Sequence, residues 1–275
     1  MILLSQEQIV TIQRIEIGGA ALSVLDEGAG EPLVFVHGFP LDHTMWGAQS
    51  PAFAPRRRVI APDLRGFGAS EARGETVTME DFADDLAALL DAMRIQEPVA
   101  LCGLSMGGYI AFQFVRKYAA RLRSLVLCDT RAGADSADTA ANRLKVAEQV
   151  LAEGAEVVAQ AMLPKLFGKR TLAEQPETVA ALRRVMAGTK PAAIAAAQRG
   201  MAARPDSTAL LPEIRVPTLV VVGAEDAIAP VDEMRGIAAA IPGAEFIVVP
   251  GAGHMAPLEN PAAFNAALRE FLAIN

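Results

Sequence analysis

Val99-Ala-Leu-Cys-Gly-Leu-Ser-Met-Gly-Gly108 is the stretch that decides the fold. A short apolar run leads into Gly103-Leu-Ser-Met-Gly107, and apolar residues at helical spacing follow at positions 109–115. A strand, a Gly-x-Ser-x-Gly turn and a helix in that order form a nucleophile elbow. The tight turn holds the serine hydroxyl clear of the backbone, and the glycines avoid collisions that side chains would make there. The pattern predicts Ser105 as an enzymatic nucleophile.

Apolar runs typical of buried strands repeat on both sides of this elbow. They lie at 33–36, 59–61, 99–101, 124–128, 218–222 and 246–249, and a hairpin is indicated at 11–17 and 21–25. Amphipathic helical patterns lie at 79–93, 109–118, 231–240 and 262–272. This alternation predicts a mostly parallel, doubly wound α/β sheet of eight strands flanked by helices. Right-handed crossovers would bring the carboxyl ends of the parallel strands to one edge, where sites form.

The segment 131–211 interrupts the alternation, because it is alanine-rich and contains no strand-like run. We expect several helices here, separated by Gly154, Pro164, Gly168, Pro176, Gly188 and Pro191. Because both ends of the segment meet the predicted catalytic edge, we interpret it as a helical cap inserted after the sixth strand. The core domain would then comprise 1–130 and 212–275, and the cap subdomain 131–211.

A serine nucleophile needs a base, and His254 is the only histidine that follows Ser105 in the chain. It lies in a glycine-rich loop directly after the last predicted strand, whereas His37 and His43 precede the serine in another loop. We predict that His254 takes the proton of Ser105 and returns it to the leaving group.

A carboxylate should fix the tautomer of this histidine. Asp226, directly after the strand that ends at position 222, is the favoured candidate, and its neighbour Glu225 should point the other way. Asp129, after the strand that ends at position 128, is the alternative. Either residue satisfies the chain order serine, acid, histidine.

Donors for a developing oxyanion should come from two backbone amides. The Met106 amide follows the nucleophile, and the Phe39 amide lies in the His37-Gly-Phe-Pro40 turn after the first buried strand. Pro40 has no N–H and cannot serve. We also expect Phe39, Met106 and Met255 to contact the substrate, since the motifs fix their positions beside the catalytic groups.

Together these segments resemble the α/β-hydrolase superfamily. The resemblance rests on His37-Gly-Phe-Pro-Leu-Asp42, Asp63-Leu-Arg-Gly-Phe-Gly-Ala-Ser70, the serine elbow, and the Asp226 and His254 loops. It implies a structural role for Asp63 and Arg65. Within the superfamily the chain looks most similar to 3-oxoadipate enol-lactonases and small carboxylesterases. Hydrolysis of carboxylic esters or lactones through a Ser-His-Asp triad is then expected, with no metal or organic cofactor.

Other functions on the same fold stay open at this point. They are carbon–carbon bond hydrolysis of meta-cleavage products, cofactor-free perhydrolase or haloperoxidase chemistry, and a ligand-binding receptor without catalysis. A basic residue of the cap offers a means of holding a substrate carboxylate if it points inward. The candidates are Arg131, Arg143, Lys145, Lys165, Lys169, Arg183, Arg184, Lys190 and Arg199. The apolar cap residues Met162, Leu163, Phe167 and Met186 would line an acyl pocket or simply form the cap's core.

Composition and charge limit the classes of partner that this chain is expected to bind. The chain has 275 residues, 52% of them hydrophobic, and a formal net charge of −7. The acidic balance disfavours nucleic acid as a partner. We expect no membrane association, because no export signal or spanning apolar run is present. Cys102 and Cys128 are expected to be buried free thiols. A cytoplasmic enzyme acting on a small molecule is the resulting expectation, with the oligomeric state open.

Overall fold

The computed structural model describes residues 12–274, and it confirms the predicted sheet of eight mostly parallel strands flanked by helices. The strands are β1 (Ile12–Ile17), β2 (Ala20–Glu27), β3 (Pro32–Val36), β4 (Arg58–Pro62), β5 (Val99–Leu104), β6 (Leu122–Cys128), β7 (Thr218–Gly223) and β8 (Glu245–Val249). The α-helices are α1 (Ser50–Phe53), α2 (Met79–Ala92), α3 (Met106–Tyr118), α4 (Ala137–Glu153), α5 (Glu156–Leu166), α6 (Lys169–Glu174), α7 (Pro176–Gly188), α8 (Pro191–Ala202), α9 (Val231–Ala240), α10 (Ala256–Glu259) and α11 (Pro261–Ile274).

The strands lie in the order β1-β2-β4-β3-β5-β6-β7-β8. Strand β2 is antiparallel to β1 and β4, and every pairing from β4 to β8 is parallel. The β1–β2 hairpin is the one predicted, although position 11 lies outside the described residues. Because Leu104 pairs with Cys128 and Gly223 with Val249, the carboxyl ends of β5 to β8 come to one edge of the sheet.

Alternating side chains of the central strands pack on opposite faces of the sheet. On β3, Val34 and Val36 belong to a core with α2, α3 and α9, whereas Leu33 and Phe35 belong to a core with α1 and α11. Two buried faces explain why these strands are continuous apolar runs in the sequence. A rigid sheet with both faces covered supplies a fixed platform for the loops at its edge.

Five helices, α4 to α8, lie between β6 and β7, as the predicted insertion after the sixth strand requires. Helix α4 ends at Gly154, which has a φ of 91°, and α7 and α8 each begin with a proline. Pro164 was expected to separate two helices, and this was wrong because it lies inside α5. The helix continues past it for only two residues, and the buried Leu166 and Phe167 anchor that end.

The two cysteines are free and buried on neighbouring strands, with their sulfur atoms 3.7 Å apart. Burial raises the pKa of the Cys128 thiol well above its usual range, which makes it unreactive. Within the described part of the chain, no helix combines the length and the apolar character needed to cross a membrane.

Candidate active site

Ser105 occupies the sharp turn between β5 and α3. Its backbone has a φ of 54° and a ψ of −112°, a conformation that costs a residue with a side chain about 1–3 kcal/mol. Hydrogen bonds hold the turn: the Ser105 amide donates to the Cys128 carbonyl at 2.9 Å, and the Thr130 hydroxyl donates to the Ser105 carbonyl at 2.7 Å. The strained conformation of Ser105 is therefore held by the end of the adjacent strand β6 and by the residues directly after it.

The two motif glycines are required by close backbone packing. A Cβ on Gly103 would lie 2.3 Å from the Gly107 carbonyl oxygen, and a Cβ on Gly107 would lie 2.4 Å from that of Val36. Neither position has room for a methyl group, because the obstacles are main-chain atoms. The first turn of α3 is thereby held against the ends of β3 and β5, and the serine projects from between them.

His254 and Asp226 form a buried hydrogen-bonded pair at the ends of β8 and β7. The Nδ1 atom of His254 lies 2.8 Å from Oδ2 of Asp226, and the two residues are 3% and 6% exposed. Among residues 12–274 no group forms a hydrogen bond with Nε2 of His254. This nitrogen is available to accept a proton.

Asp226 is held as a carboxylate despite its burial. Burial favours the neutral acid, but the hydrogen bond and charge of His254 and the amides of Ala229 and Ile228 outweigh it, so the pKa of Asp226 is lowered. Those amides donate to Oδ1 at 3.0 and 2.7 Å, which leaves Oδ2 for the histidine. Glu225 turns away and accepts from the Lys169 amide instead, at 2.9 Å.

Asp129 lies beside this pair without joining it. Its Oδ1 accepts from the Gly223 amide at 2.7 Å, and its Oδ2 has no hydrogen-bond partner among the described residues. Complete burial and the charge of Asp226 raise the pKa of Asp129 well above its usual range. Asp129 is therefore harder to ionise than Asp226, and the 2.8 Å contact favours Asp226 as the partner of His254.

The two amides predicted to bind an oxyanion are free. Neither Phe39 N nor Met106 N donates to any group in the described part of the chain. Gly38, which precedes Phe39, packs so closely that an added Cβ would lie 3.5 Å from the Ser105 Cβ. The loop carrying the Phe39 amide thus passes directly beside the serine.

The other two histidines are committed elsewhere. The buried His37 lies 2.9 Å through Nδ1 from the Gly38 carbonyl, and its Nε2 accepts from the Leu64 amide at 3.0 Å. His43 lies 2.6 Å through Nδ1 from Asp63. Arg65 forms a two-pronged ion pair with Asp85 on α2. These contacts fit the structural role expected of the Asp63 segment.

A cavity of about 300 Å³ lies between the helical insertion and the core. Phe39 and Ile228 line it from the core, and residues of α4, α5 and α8 line it from the insertion. The side chains of Met106 and Met255 are fully buried and do not line this cavity. Of the three predicted substrate contacts, only Phe39 reaches the cavity wall.

In the described residues, two groups bring three possible metal-ligand atoms within 4.8 Å of one another: Asp42, His43 and Asp63, and Asp129, Asp226 and His254. In both, the histidine Nδ1 is already paired with a carboxylate. Their donor chemistry fits hydrogen-bonded pairs better than a metal site.

Glu259 was missed by the sequence analysis. Its side chain is buried, and it accepts hydrogen bonds from amides on both sides of His254, those of Gly253 at 2.7 Å and Met255 at 3.2 Å. In the sequence, Glu259 is only a charged residue five positions after the histidine, and such a residue is also typical of an exposed helix surface.

Comparison with known proteins identifies the family of this chain. Residues 31–261 match the model of the alpha/beta hydrolase fold family. A solved thermophilic esterase from Thermogutta terrifontis is 46% identical over 96% of this chain and 98% of its own, with a TM-score of 0.93. The enol-lactonase from Burkholderia xenovorans LB400 is 30% identical over 94% and 98% of the two chains, with a TM-score of 0.86. 3-oxoadipate enol-lactonase 2 of Acinetobacter baylyi is 27% identical over 259 residues, 94% of each chain. The chain belongs to the α/β-hydrolase family.

Proposed function

From this family membership and the site geometry, we propose that the protein is a serine hydrolase of carboxylic esters or lactones. The observation that carries the proposal is the buried His254–Asp226 pair on the sheet edge that also presents Ser105 on a strained elbow. The esterase and enol-lactonase relatives support the same reaction class.

The proposed reaction has two halves. Ser105 Oγ attacks the acyl carbon while His254 Nε2 takes its proton, and the Phe39 and Met106 amides stabilise the oxyanion. Collapse of the tetrahedral intermediate breaks the acyl–oxygen bond as His254 protonates the leaving oxygen. Water then attacks the acyl-enzyme through the same histidine, releasing the acid and restoring Ser105. Asp226 holds the required tautomer and stabilises the imidazolium.

The cavity favours substrates that carry a carboxylate away from the scissile bond. Among residues 12–274, its wall includes Arg143 and Lys165 and no aspartate or glutamate. Arg143 is paired with Asp135, but Arg204 pairs with the same carboxylate, so Asp135 is shared between two guanidinium groups. The Nη2 atom of Arg143 has no acceptor within residues 12–274. The esterase relative, whose solved structure has malate bound, supports the same substrate class.

The reaction class is tested with p-nitrophenyl acetate, butyrate, octanoate and laurate, using wild type and Ser105→Ala. We expect turnover that falls with chain length and a loss of at least about 10⁴-fold in kcat in the variant. Labelling of Ser105 by a fluorophosphonate is the parallel measurement. A folded protein that neither turns over these esters nor forms the adduct would contradict the proposal and favour a binding role. An adduct without ester turnover would favour carbon–carbon bond hydrolysis.

The substrate class is tested with monomethyl adipate and methyl hexanoate, which differ only in a terminal carboxylate. We expect wild type to favour the acid about 10- to 100-fold in kcat/KM, since hydrogen bonds between charged groups contribute about 1.5–3 kcal/mol. Arg143→Gln should abolish the preference while leaving methyl hexanoate unaffected. Arg183→Gln is the matched control, because Arg183 pairs with Glu156 on an exposed surface away from the cavity. Equal turnover of the two esters by wild type would refute the substrate class alone.

A further inference from the structure

Glu259 receives hydrogen bonds from two separate parts of the molecule. Its Oε1 accepts from the Gly253 and Met255 amides, which flank His254, and its Oε2 accepts from the Gly168 amide at 2.7 Å. Gly168 belongs to the turn between α5 and α6, 91 residues away in the chain. The carboxylate is 2% exposed, so these amides, and not water, satisfy it.

The two segments are packed in direct contact. A Cβ on Gly253 would lie 2.5 Å from the Gly168 nitrogen and 2.7 Å from the Phe167 carbonyl carbon. We call residues 167–169 the cap turn and residues 253–255 the histidine loop. Main chain lies against main chain here, so a displacement of the cap turn displaces the histidine loop unless the hydrogen bonds break.

A second carboxylate holds the cap turn without touching the histidine loop. Glu225 is exposed, and its Oε2 accepts from the Lys169 amide at 2.9 Å. Glu225 and Glu259 therefore bind adjacent amides of one turn. They differ in that only Glu259 also binds the flanks of His254.

We propose that Glu259 is a positioning residue that fixes the histidine loop and couples it to the cap turn. The inference rests on the proposed hydrolase function, because it assigns to Glu259 the orientation of His254 toward Ser105. A buried carboxylate suits this role, since a charged acceptor binds N–H groups about twice as strongly as a neutral one. It can also serve several donors at once.

Substitution by glutamine leaves this network incompletely satisfied. Glutamine has one acceptor oxygen, and its NH₂ group would face an N–H donor at one of the two sites. The histidine loop or the cap turn must then shift. A displacement of about 1 Å in a catalytic group costs about 10²-fold in rate.

The experiment compares Glu259→Gln with the control Glu225→Gln. We measure kcat and KM for p-nitrophenyl butyrate, the rate of fluorophosphonate labelling, and amide hydrogen exchange at Gly168, Gly253 and Met255. We expect Glu259→Gln to lower kcat and the labelling rate about 10- to 100-fold with KM changed less than threefold. In this variant the amide hydrogens of Gly168, Gly253 and Met255 should exchange faster than in wild type. Glu225→Gln should expose only the Lys169 amide and keep the wild-type kcat.

The outcomes separate the proposals. A folded Glu259→Gln protein with wild-type kcat and labelling rate would overturn the role of Glu259. So would an equal fall in kcat in both variants, because loosening of the cap turn alone would then explain it. If wild type and Ser105→Ala behave alike, the hydrolase function fails instead, and hydrogen exchange still reports the coupling.

Thermal unfolding of both variants measures whether either substitution destabilises the whole fold. If Glu259→Gln does not fold, Glu259→Asp replaces it. This variant keeps the charge but shortens the reach by one methylene, so it cannot span both segments. Loss of exchange protection at only one segment, with a lower kcat, is the expected result. Full protection at both segments with wild-type kcat would overturn the proposal.

Discussion

Residues 12–274 contain two histidine–aspartate pairs at the same edge of one sheet, and the surroundings of the two pairs differ. His43 and Asp63 lie after β3 and β4, with Nδ1 and Oδ1 2.6 Å apart. His254 and Asp226 lie after β8 and β7, with Nδ1 and Oδ2 2.8 Å apart. The pair distances alone do not distinguish a catalytic base from a structural contact.

The groups around each pair make the distinction. Asp63 also accepts from the backbone amides of His43 and Ala69, both at 2.9 Å, so its carboxylate joins two loops. Within the described part of the chain Nε2 of His254 has no hydrogen-bond partner, and Glu259 accepts hydrogen bonds from the amides on both sides of this histidine. A candidate base is thus recognised by a hydrogen-bonded loop and by a second ring nitrogen without a partner. A structural histidine is recognised by an aspartate that also accepts from the histidine's own backbone amide.

The largest expected difference is in activity after removal of each histidine. His254→Ala should lower kcat on p-nitrophenyl butyrate by at least about 10⁴-fold, since the serine loses its base. His43→Ala should stay within about tenfold of wild type, because its partner Asp63 holds loops and not the base. Steady-state kinetics on folded variants measures both. Comparable losses in the two variants would remove the distinction between the pairs.

The next difference concerns the two carboxylates near His254. Asp226→Asn should lower kcat about 10³- to 10⁴-fold, because the amide favours the wrong histidine tautomer. Asp129→Asn should change kcat less than threefold, since Asp129 forms no hydrogen bond with His254 within residues 12–274 and its raised pKa favours the neutral form that asparagine resembles. Measuring kcat of the two isosteric variants at neutral pH shows which carboxylate supports His254. The reverse order would transfer the role of the acid to Asp129.

The sequence predicted the parts of this comparison that depend on local patterns. The β5–Ser105–α3 elbow follows from glycines within five residues, and the strands follow from continuous apolar runs. His254 and Asp226 followed from their positions after predicted strands, because parallel strands bring their carboxyl ends together. The sequence favoured Asp226 over Asp129 although both carboxylates reach the same edge, and the distances agree, since His254 Nδ1 lies 2.8 Å from Asp226 while Asp129 accepts from the Gly223 amide.

Contacts between distant segments could not be predicted in the same way. Glu259 meets Gly168 only because the insertion folds back on the core, and no periodicity in either segment encodes that approach. The His43–Asp63 pair also depends on how two loops cross after their strands. Pro164 was expected to interrupt a helix because proline removes a backbone hydrogen bond there. It is tolerated near the end of α5 because its buried neighbours offset that loss.

A smaller effect is expected on stability at the structural pair. Asp63 is 1% exposed, and a Cβ on the neighbouring Gly68 would collide with its carboxylate. Asp63→Asn should lower the free energy of unfolding by about 3 kcal/mol, because buried donors lose a charged acceptor. Urea unfolding followed by circular dichroism measures this. Unchanged stability together with lost activity would instead place Asp63 in the chemistry.

The smallest effect is the pH dependence of the same pair. The hydrogen bond that His43 donates to Asp63, only partly opposed by burial, raises the pKa of His43. A raised pKa in the folded state stabilises the protein fully below the unfolded value of about 6.5, and this contribution is lost as the pH rises through the folded value. The difference in unfolding free energy between wild type and His43→Gln should therefore shrink between pH 5.5 and 8.5. We expect a decrease of about 1 kcal/mol or less, because His43 is partly open to solvent. Urea unfolding at both pH values measures it, and a difference that grows with pH would show that His43 is neutral in the folded protein.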